Sequence, residues 1–389
     1  MGNNQKGKYS TENPETPKKK MKRKQKALIA LCAVLVVLVF GVWFVYENTL
    51  GAIDRIDEDK IEFVDPDDQD KFDEEDTDGD GTTDGSGTTD GSGTTDGSGT
   101  TDGSGTTDGN GSGSNSGSGN TKPPQTVINW PTIPKINSEG VIKILLIGAD
   151  VWKDGSRGRS DVIMLATLDE KTGALSLTSF QRDTYVQIPG YKDNRINAAY
   201  AFGGTKLLKQ VLELNYGITV DGVVVINFTK FEKLIDALGG VEISLTEKEV
   251  TYLNNMGASM VVGKNTLNGR WALEYTRIRK IDSDFGRTNR QRTVMNAIFQ
   301  AYKDISISEI PGMLSTVLPM VSTDMSDSKI ISYATKVLTS GTSTINGFSV
   351  PFKGAYKSQT IEKKQVLVPD LEKCHEALKN FIHGQPYNP

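Results

Sequence analysis

A basic stretch of the sequence, RIRKIDSDFGRTNRQR, begins at Arg277 and contains six cationic side chains and two aspartates. Each guanidinium presents five N–H donors in a fixed planar arrangement, which suits bidentate hydrogen bonding to phosphate oxygens. Arg277 and Arg279 look like residues of one strand, where alternate side chains point to the same face. Arg287, Arg290 and Gln291 follow at the i, i+3, i+4 spacing that shares one helix face. The stretch therefore predicts a site for a phosphate group.

Further arginines and aspartates lie at the ends of three predicted strands. Apolar runs in VIKILLIGAD and DVIMLATL indicate the first two strands, and a hairpin turn leads into a third. The charged residues that leave or precede these strands are Asp150, Arg159, Asp161, Arg182 and Asp183. The second strand begins at the hairpin edge where the third strand ends, so Asp161 and Arg182 are predicted neighbours. Asp150 reaches the same edge if the first two strands are antiparallel.

Together these groups suggest a pyrophosphate clamp, in which aspartates beside the arginines hold a magnesium ion shared with the phosphates. A single Arg–Asp pair at a strand end is more often a surface ion pair, so the inference depends on the convergence of several pairs. The basic helix could also contact nucleic acid, but the pattern of stacking aromatics is missing and no such partner is predicted. His375 and His383 both lie in the last predicted helix, which disfavours a histidine triad or a zinc site.

The elements that position these residues predict an α/β fold. Strand, helix and strand follow one another in DGVVVINFTKFEKLIDALGGVEISL, with Thr229 as the helix N-cap and Gly239–Gly240 after its end. Such a βαβ unit requires parallel strands, whereas the hairpin adds antiparallel ones. We therefore expect a mixed β-sheet flanked by helices on both faces. Cys374, the one cysteine besides Cys32, is expected on the apolar face of the last helix as a buried thiol.

An uncharged segment of twenty residues, ALIALCAVLVVLVFGVWFVY (27–46), is long enough to cross a bilayer as a helix. Residues 1–26 end in a basic run and acidic residues follow the segment. The positive-inside rule therefore places the N-terminus in the cytoplasm and the rest of the chain outside. A cleaved signal peptide is the alternative, but no small-x-small cleavage site is evident. Residues 47–140, acidic and then rich in SGTTDG repeats, predict a flexible extracytoplasmic linker, followed by one folded domain at residues 141–389.

Several segments of the predicted domain resemble the LytR-CpsA-Psr family of cell-envelope proteins. They are GADVWKDGSRGRSD, QRDTYVQIPGYKDNRINAAYAFGG, FEKLIDALGGVEI and LNGRWALEYTRIRKIDSDFGRTNRQR. The resemblance implies a single-pass membrane protein with a mixed-sheet core and a hydrophobic groove for a polyprenyl tail. It also implies a transferase that moves a glycopolymer, such as a teichoic acid or a capsule, from undecaprenyl diphosphate to a peptidoglycan sugar hydroxyl.

The resemblance assigns roles to individual residues. Asp150 and Asp161 match aspartates that bind Mg²⁺ or Mn²⁺. The positions that match diphosphate-binding or recurrent residues of the family are Arg159, Arg182, Arg195, Arg277, Arg279, Arg287, Arg290 and Gln291. The catalytic positions that it implies are Arg182, Asp183, Arg277, Arg279 and Asp284. Gln181 stands where the family usually has proline before the Arg-Asp pair, which leaves the geometry of that turn open.

Two other functions remain open from the residues alone. With water as the acceptor, the same site would make a polyprenyl-diphosphate pyrophosphatase. A non-catalytic, membrane-tethered protein that binds or regulates envelope polymers is the second alternative. Direct control of transcription is disfavoured, because residues 1–26 are too few for a DNA-binding fold.

Overall fold

The structure is a computed structural model that describes residues 53–68, 128–151 and 157–385. The transmembrane helix predicted at residues 27–46 lies outside these ranges, as does most of the predicted linker. Within the described ranges, no helix has both the length and the apolar character needed to cross a membrane.

The described residues form a mixed α/β fold around a seven-stranded sheet. In chain order the strands are β1 (Asp54–Arg55), β2 (Val141–Val151), β3 (Arg157–Asp169), β4 (Leu175–Phe180), β5 (Tyr185–Val186), β6 (Asn194–Arg195), β7 (Gly222–Ile226), β8 (Val241–Leu245), β9 (Gly263–Leu267), β10 (Ser322–Thr323), β11 (Ile345–Val350), β12 (Tyr356–Ile361) and β13 (Lys364–Pro369). The spatial order in the main sheet is β1-β10-β7-β2-β3-β4-β11. Strands β2, β3 and β4 pair antiparallel, whereas β7 is parallel to β2 and β11 is parallel to β4. The predicted mixed sheet is confirmed, and its first two long strands, β2 and β3, meet the condition of being antiparallel.

Helices cover both faces of the main sheet, as the sequence predicts. They are α1 (Ile196–Tyr216), α2 (Phe228–Ala237), α3 (Glu247–Asn255), α4 (Gly269–Arg277), α5 (Asp284–Tyr302), α6 (Ile310–Val317), α7 (Asp327–Thr339) and α8 (Leu371–Phe381). On one face, Leu145 of the sheet belongs to the same buried core as Leu208 of α1 and Leu378 of α8. On the other face, Ile142 of the sheet packs with Phe299 of α5.

In helix α8 and the turn that follows it, the cysteine and the two histidines have structural roles. Cys374 is buried, as predicted, and burial raises the pKa of its thiol to about 12. The Nδ1 atom of His375 lies 3.1 Å from the carbonyl oxygen of Tyr216. The Nδ1 atom of His383 lies 2.9 Å from a carboxylate oxygen of Asp169, at the hairpin end of β3. These contacts hold α8 and the turn after it on the domain.

The predicted βαβ unit is wrong, because β8 does not enter the main sheet. Strand β7 has β2 on one side and the antiparallel strand β10 on the other. Strand β8 pairs instead with β9 in a small two-stranded sheet, and its side chains alternate between buried and exposed. One buried face is enough for a sheet that packs on helices. The N-cap of α2 is Asn227 rather than Thr229, since the Asn227 side chain accepts a hydrogen bond of 2.8 Å from the Lys230 amide.

Residues 53–68, which we call the strap, fall in the predicted flexible linker but pack on the domain, so this part of the prediction is wrong. Strand β1 extends the main sheet by pairing parallel to β10, and Ile53 is buried in the core beside α6 and α7. Further along, the Val64 amide donates a hydrogen bond of 2.8 Å to the Phe202 carbonyl of α1. Helix α1 is kinked at Gly203 and Gly204, where an added Cβ would meet strap side chains at 3.0 Å and 3.3 Å. Backbone pairing and apolar burial together hold the strap in place.

Candidate functional site

The charged residues converge at one edge of the main sheet. Strand β3 begins at the edge where β2 and β4 end, because β3 is antiparallel to both. The Nη1 atom of Arg182 donates a hydrogen bond of 2.8 Å to Oδ1 of Asp161, which confirms the predicted neighbours. The Nη2 atom of Arg279 lies 4.0 Å from the same carboxylate oxygen. Two guanidinium groups from distant segments therefore share one aspartate.

The prediction that Arg277 and Arg279 lie in one strand is wrong. Arg277 is the last residue of α4, and Arg279 lies in the loop 278–283 that connects α4 to α5. The segment is helical because Asn268 caps the first turn and the apolar side chains of WALEYT follow helical spacing. The two side chains consequently diverge. The Arg277 guanidinium lies over the Phe228 ring, 5.2 Å from its centre, while Arg279 faces Asp161.

Two aspartates, Asp183 and Asp284, form a hydrogen-bonded pair beside Arg182. The Nε atom of Arg182 lies 3.7 Å from Asp183 and 4.0 Å from Asp284, and Arg195 Nε lies 3.5 Å from Asp183. Burial raises the pKa of Asp183, and the hydrogen bond with Asp284 raises it further. The pKa of Asp284 is lowered, because Arg287, the Asp183 hydrogen bond and Arg182 together outweigh the effect of burial. The pair is thus arranged with Asp183 as the more basic carboxylate.

Arg287 is a buried cation without hydrogen bonds. Its side chain is 3% exposed, and none of its three guanidinium nitrogens has a hydrogen-bond partner among the described residues. The nearest carboxylate oxygen, on Asp284, lies 3.4 Å away. Burial lowers the pKa of Arg287 to about 10, and the charge of Arg182 acts in the same direction. Because buried N–H donors without hydrogen-bond partners are costly, such a group indicates a place prepared for an anion.

Arg290, predicted to bind the diphosphate, has protein partners instead. Its Nη1 and Nη2 atoms donate hydrogen bonds of 2.7 and 2.8 Å to the two carboxylate oxygens of Asp282. The Nη2 atom also donates to the Ile278 carbonyl at 2.7 Å, and Glu249 of α3 lies 3.6 Å from Nη1. These bonds raise the pKa of Arg290 despite its burial. Arg290 therefore holds the loop that carries Arg279, and its contact with the diphosphate stays a prediction.

The other predicted residues surround this cluster in different ways. Arg159 is half-buried on β3, two residues before Asp161. Arg195 precedes α1 and donates a hydrogen bond of 2.9 Å to the Gln365 carbonyl in addition to its contact with Asp183. Gln291 is buried and lines an apolar cavity next to the cluster.

Gln181, which replaces the family's usual proline, ties two elements of the site together. Its side-chain amide donates a hydrogen bond of 3.0 Å to Thr288 of α5. Its backbone amide donates to Val350 of β11 at 2.8 Å, and its carbonyl accepts from the Thr184 amide at 3.0 Å. A proline could not make the bond to Val350, so this chain supports the Arg-Asp turn differently.

Asp150 and Asp161 are chemically suitable ligands for a magnesium ion. The backbone of Asp150 follows Ala149, which is opposite Ser160 of β3, so Asp150 and Asp161 belong to paired ends of adjacent strands. The side chain of Asp150 lies outside the described set, whereas that of Asp161 is 36% exposed. Among the described residues, no three or more metal-ligating side chains are grouped. Mg²⁺ commonly takes only one or two protein carboxylates and completes its shell with phosphate and water, so these two aspartates fit.

Apolar cavities extend from the cluster along one face of the sheet. The nearer has a volume of about 270 Å³, is lined by Val162, Phe228, Thr276 and Gln291 among others, and therefore begins beside the charged groups. The farther has a volume of about 390 Å³ and shares the lining residues Leu238, Ile298 and Val317 with the first. The spacing of the residues did not predict this channel, since its walls come from five helices and the sheet. The apolar helix faces and the groove implied by the family resemblance were the signals for it.

This chain is similar in sequence to known proteins. The sequence model of the LytR_cpsA_psr family matches residues 103–380. The Regulatory protein MsrR of Staphylococcus aureus is 33% identical over 252 residues, which are 64% of this chain and 76% of that protein. The polyisoprenyl-teichoic acid–peptidoglycan teichoic acid transferase TagU of Enterococcus faecalis is 36% identical over 197 residues, which are 49% of this chain and 64% of that protein.

Two solved structures show the same architecture. TagT bound to LIIa-WTA superposes with a TM-score of 0.53 and 26% identity, covering 65% of this chain and 95% of that chain. TagV of B. subtilis superposes with a TM-score of 0.52 and 26% identity, covering 65% of this chain and all of that chain (100%).

Proposed function

The chain belongs to the LytR_cpsA_psr family, and from this premise we propose that it transfers a glycopolymer from an undecaprenyl-diphosphate carrier to a sugar hydroxyl of peptidoglycan. The polymer is a teichoic acid, a capsule or another secondary wall polymer. The observation that carries the proposal is the position of Arg287, a buried guanidinium with no hydrogen-bond partner in the described part of the chain, one helical turn from Gln291, which lines the apolar channel. An amphiphile with an anionic head and a hydrocarbon tail is the ligand that fits both features.

The diphosphate binds between the arginines of the cluster. The buried Arg287 donates to it, together with Arg279 and Arg182, which lie 4.0 and 2.8 Å from the same carboxylate oxygen of Asp161. Arg277 lies over the Phe228 ring, at the point where the charged cluster meets the apolar channel. The polyprenyl tail occupies that channel, because burying hydrocarbon there removes it from water. Arg159 and Arg195 add positive charge around the same group.

The transfer is a displacement at the sugar-proximal phosphorus. The oxygen of a peptidoglycan hydroxyl forms a bond to that phosphorus, and the bond from phosphorus to the bridging oxygen breaks. Undecaprenyl phosphate leaves with that oxygen, and the polymer remains on peptidoglycan through a phosphodiester. The hydroxyl proton passes to the carboxylate pair Asp183–Asp284, where Asp183 has the raised pKa that suits a general base. Arginines fixed around the phosphates stabilise the charge that develops.

Asp150 and Asp161 would hold Mg²⁺ or Mn²⁺, which neutralises charge on the leaving phosphate when bound. The backbone of both residues belongs to neighbouring ends of the adjacent strands β2 and β3. We place the catalytic domain outside the cell membrane, on a single-pass anchor at residues 27–46 with a cytoplasmic N-terminus.

The test uses the full-length protein in detergent. It is incubated with a short-chain lipid diphosphate that carries a glycan, with peptidoglycan oligomers and with Mg²⁺, and both products are followed by mass spectrometry. We expect a phosphodiester-linked conjugate and lipid monophosphate in equal amounts. Both should be lost in Arg279→Ala and kept in Arg270→Ala, a matched control whose guanidinium stacks on Trp271 at the far end of α4.

Two other outcomes define the alternatives. Lipid monophosphate without conjugate would identify a pyrophosphatase that uses water. Donor that binds but stays intact with every acceptor would favour a regulatory protein, a role consistent with the name of the relative MsrR. Turnover that survives both Arg279→Ala and Asp161→Ala would contradict the proposed site.

A further inference from the structure

A second, polar pocket lies at the same sheet edge, outside the arginine cluster. Its volume is about 190 Å³, and it opens at the carboxyl ends of the parallel strands β2 and β7. Hydrophilic side chains dominate its lining: Asp54, Arg157, Tyr200, Asn227, Lys230 and Ser322. Crevices outside the carboxyl ends of parallel strands are common ligand sites in α/β proteins.

The pocket adjoins both parts of the proposed donor site. Asn227 lines this pocket and also the apolar channel. Arg157 lies four residues before Asp161 on β3, a separation of about 13 Å along a strand. Ala149, at the base of the pocket, immediately precedes the backbone of Asp150. The polar pocket therefore lies beside the apolar channel, at the same strand ends as the arginine cluster.

The strap forms one wall of the pocket. Asp54 Oδ2 accepts a hydrogen bond of 2.5 Å from Ser322 and lies 3.6 Å from the Lys230 ammonium of α2. The Glu62 carbonyl accepts a hydrogen bond from Arg157, whose Nε atom is buried and has no partner among the described residues. The segment that joins the predicted membrane anchor to the domain thus contributes a carboxylate and positions an arginine at the site.

We propose that this pocket is a sugar subsite, which holds the first sugar of the polymer next to the diphosphate, and that the strap is part of it. The inference rests on the proposed function and names the part of the donor that the pocket takes. A sugar fits because its hydroxyls need donors and acceptors together, and the pocket offers a carboxylate, an amide, hydroxyls and two cations. The lipid tail is accommodated in the apolar channel and does not need the polar pocket. A second phosphate group in the pocket would be repelled by the negative charge of Asp54.

The experiment compares two soluble donors by calorimetry on the full chain in detergent. One is geranyl diphosphate, and the other is geranyl diphosphate with N-acetylglucosamine attached. We expect the wild-type protein to bind the sugar-bearing donor about tenfold more tightly, the effect of one or two hydrogen bonds to charged groups. Lys230→Met and Asp54→Asn should each remove most of this preference and leave the affinity for geranyl diphosphate unchanged. Lys233→Met, an exposed lysine on the same helix, is the matched control and should keep the preference.

The outcomes separate this inference from the proposed function. If wild type and variants bind both donors equally, the sugar subsite is refuted while the diphosphate site stands. If Lys230→Met and Asp54→Asn retain the full preference, the sugar lies elsewhere and the pocket proposal is overturned. If neither donor binds the wild-type protein, the proposed function itself has failed.

Discussion

Arg290 and Asp282 are joined by two hydrogen bonds, of 2.7 and 2.8 Å, that close the loop between α4 and α5. The loop carries Arg279, and α5 continues from it with Asp284 and Arg287. Two arginines on one helix therefore have opposite roles. The Nη1 and Nη2 atoms of Arg290 donate to the protein, whereas the guanidinium nitrogens of Arg287 have no hydrogen-bond partner among the described residues.

Arg290→Met should destabilise the protein by about 3 kcal/mol, because it leaves Asp282 and the Ile278 carbonyl without their buried donor. The loop should loosen, and the affinity for a lipid diphosphate should fall with it. Urea unfolding and calorimetry measure the two effects. A variant as stable as wild type would show that the ion pair does not hold the loop.

Arg287→Met is the matched substitution, with the opposite expectation for stability. It removes a buried charge that has no hydrogen bond, so the free energy of unfolding should stay within about 1 kcal/mol of wild type or rise. The affinity for geranyl diphosphate should nevertheless fall tenfold or more, on the order of one lost charge-assisted hydrogen bond. Unchanged affinity would contradict the role that we assign to Arg287.

Gly286→Ala should be destabilising although alanine favours helices. Its Cβ would come within 2.2 Å of the Asp282 carboxylate, and Arg290 prevents that carboxylate from moving away. We expect a cost of about 1–2 kcal/mol from this overpacking. In the background of Asp282→Ala the same substitution should cost nothing, so a double-mutant cycle by urea unfolding should show strong coupling. Additive effects would mean that the clash is relieved in another way.

Asp183→Asn should change the pH dependence of stability in a defined window. The raised pKa of Asp183 means that the folded chain keeps a proton, from about pH 3.8 upward, that the unfolded chain releases. In wild type this group makes the free energy of unfolding fall as pH rises through that window, and the variant should lack this fall. Asp284, whose pKa is lowered, contributes stability above pH 3.8 that is lost below it, so the two groups act on opposite sides of that value. Urea unfolding at a series of pH values measures the difference, and identical slopes would refute it.

Met295→Trp should shorten the apolar channel without disturbing the charged cluster. Met295 lines the nearer cavity, and a larger side chain would fill part of its volume of about 270 Å³. The affinity for farnesyl diphosphate should fall, while that for a shorter alkyl diphosphate should stay unchanged. Met256→Trp, at an exposed position, serves as the control. If the affinities for the longer and the shorter diphosphate fell equally, the tail would have to bind outside this cavity.

The local pattern of the chain predicted the elements and the edge where they meet. Alternation and apolar runs indicated β2, β3 and β4, and the hairpin between β3 and β4 brought Asp161 to Arg182. These relations depend on residues close in sequence, whose pairing register is set by one short turn. The linker prediction was wrong for the strap because two residues of β1 carry almost no strand signal. Their partner, β10, lies far along the chain.

Helix α5 shows which features of the site the sequence predicts and which depend on the tertiary structure. Spacing placed Arg287, Arg290 and Gln291 on one broad helix face, and all three are buried. A helix turns about 100° per residue, so Arg290 and Gln291 flank Arg287 on opposite sides. Asp282 and Glu249 cover one side and the apolar channel lies on the other. The sequence by itself determined that this face is rich in guanidinium groups. Only the packing of the neighbouring elements decided which guanidinium is hydrogen-bonded to a carboxylate. The reason is that a buried charge takes its hydrogen-bond partners from whichever segment the fold places beside it.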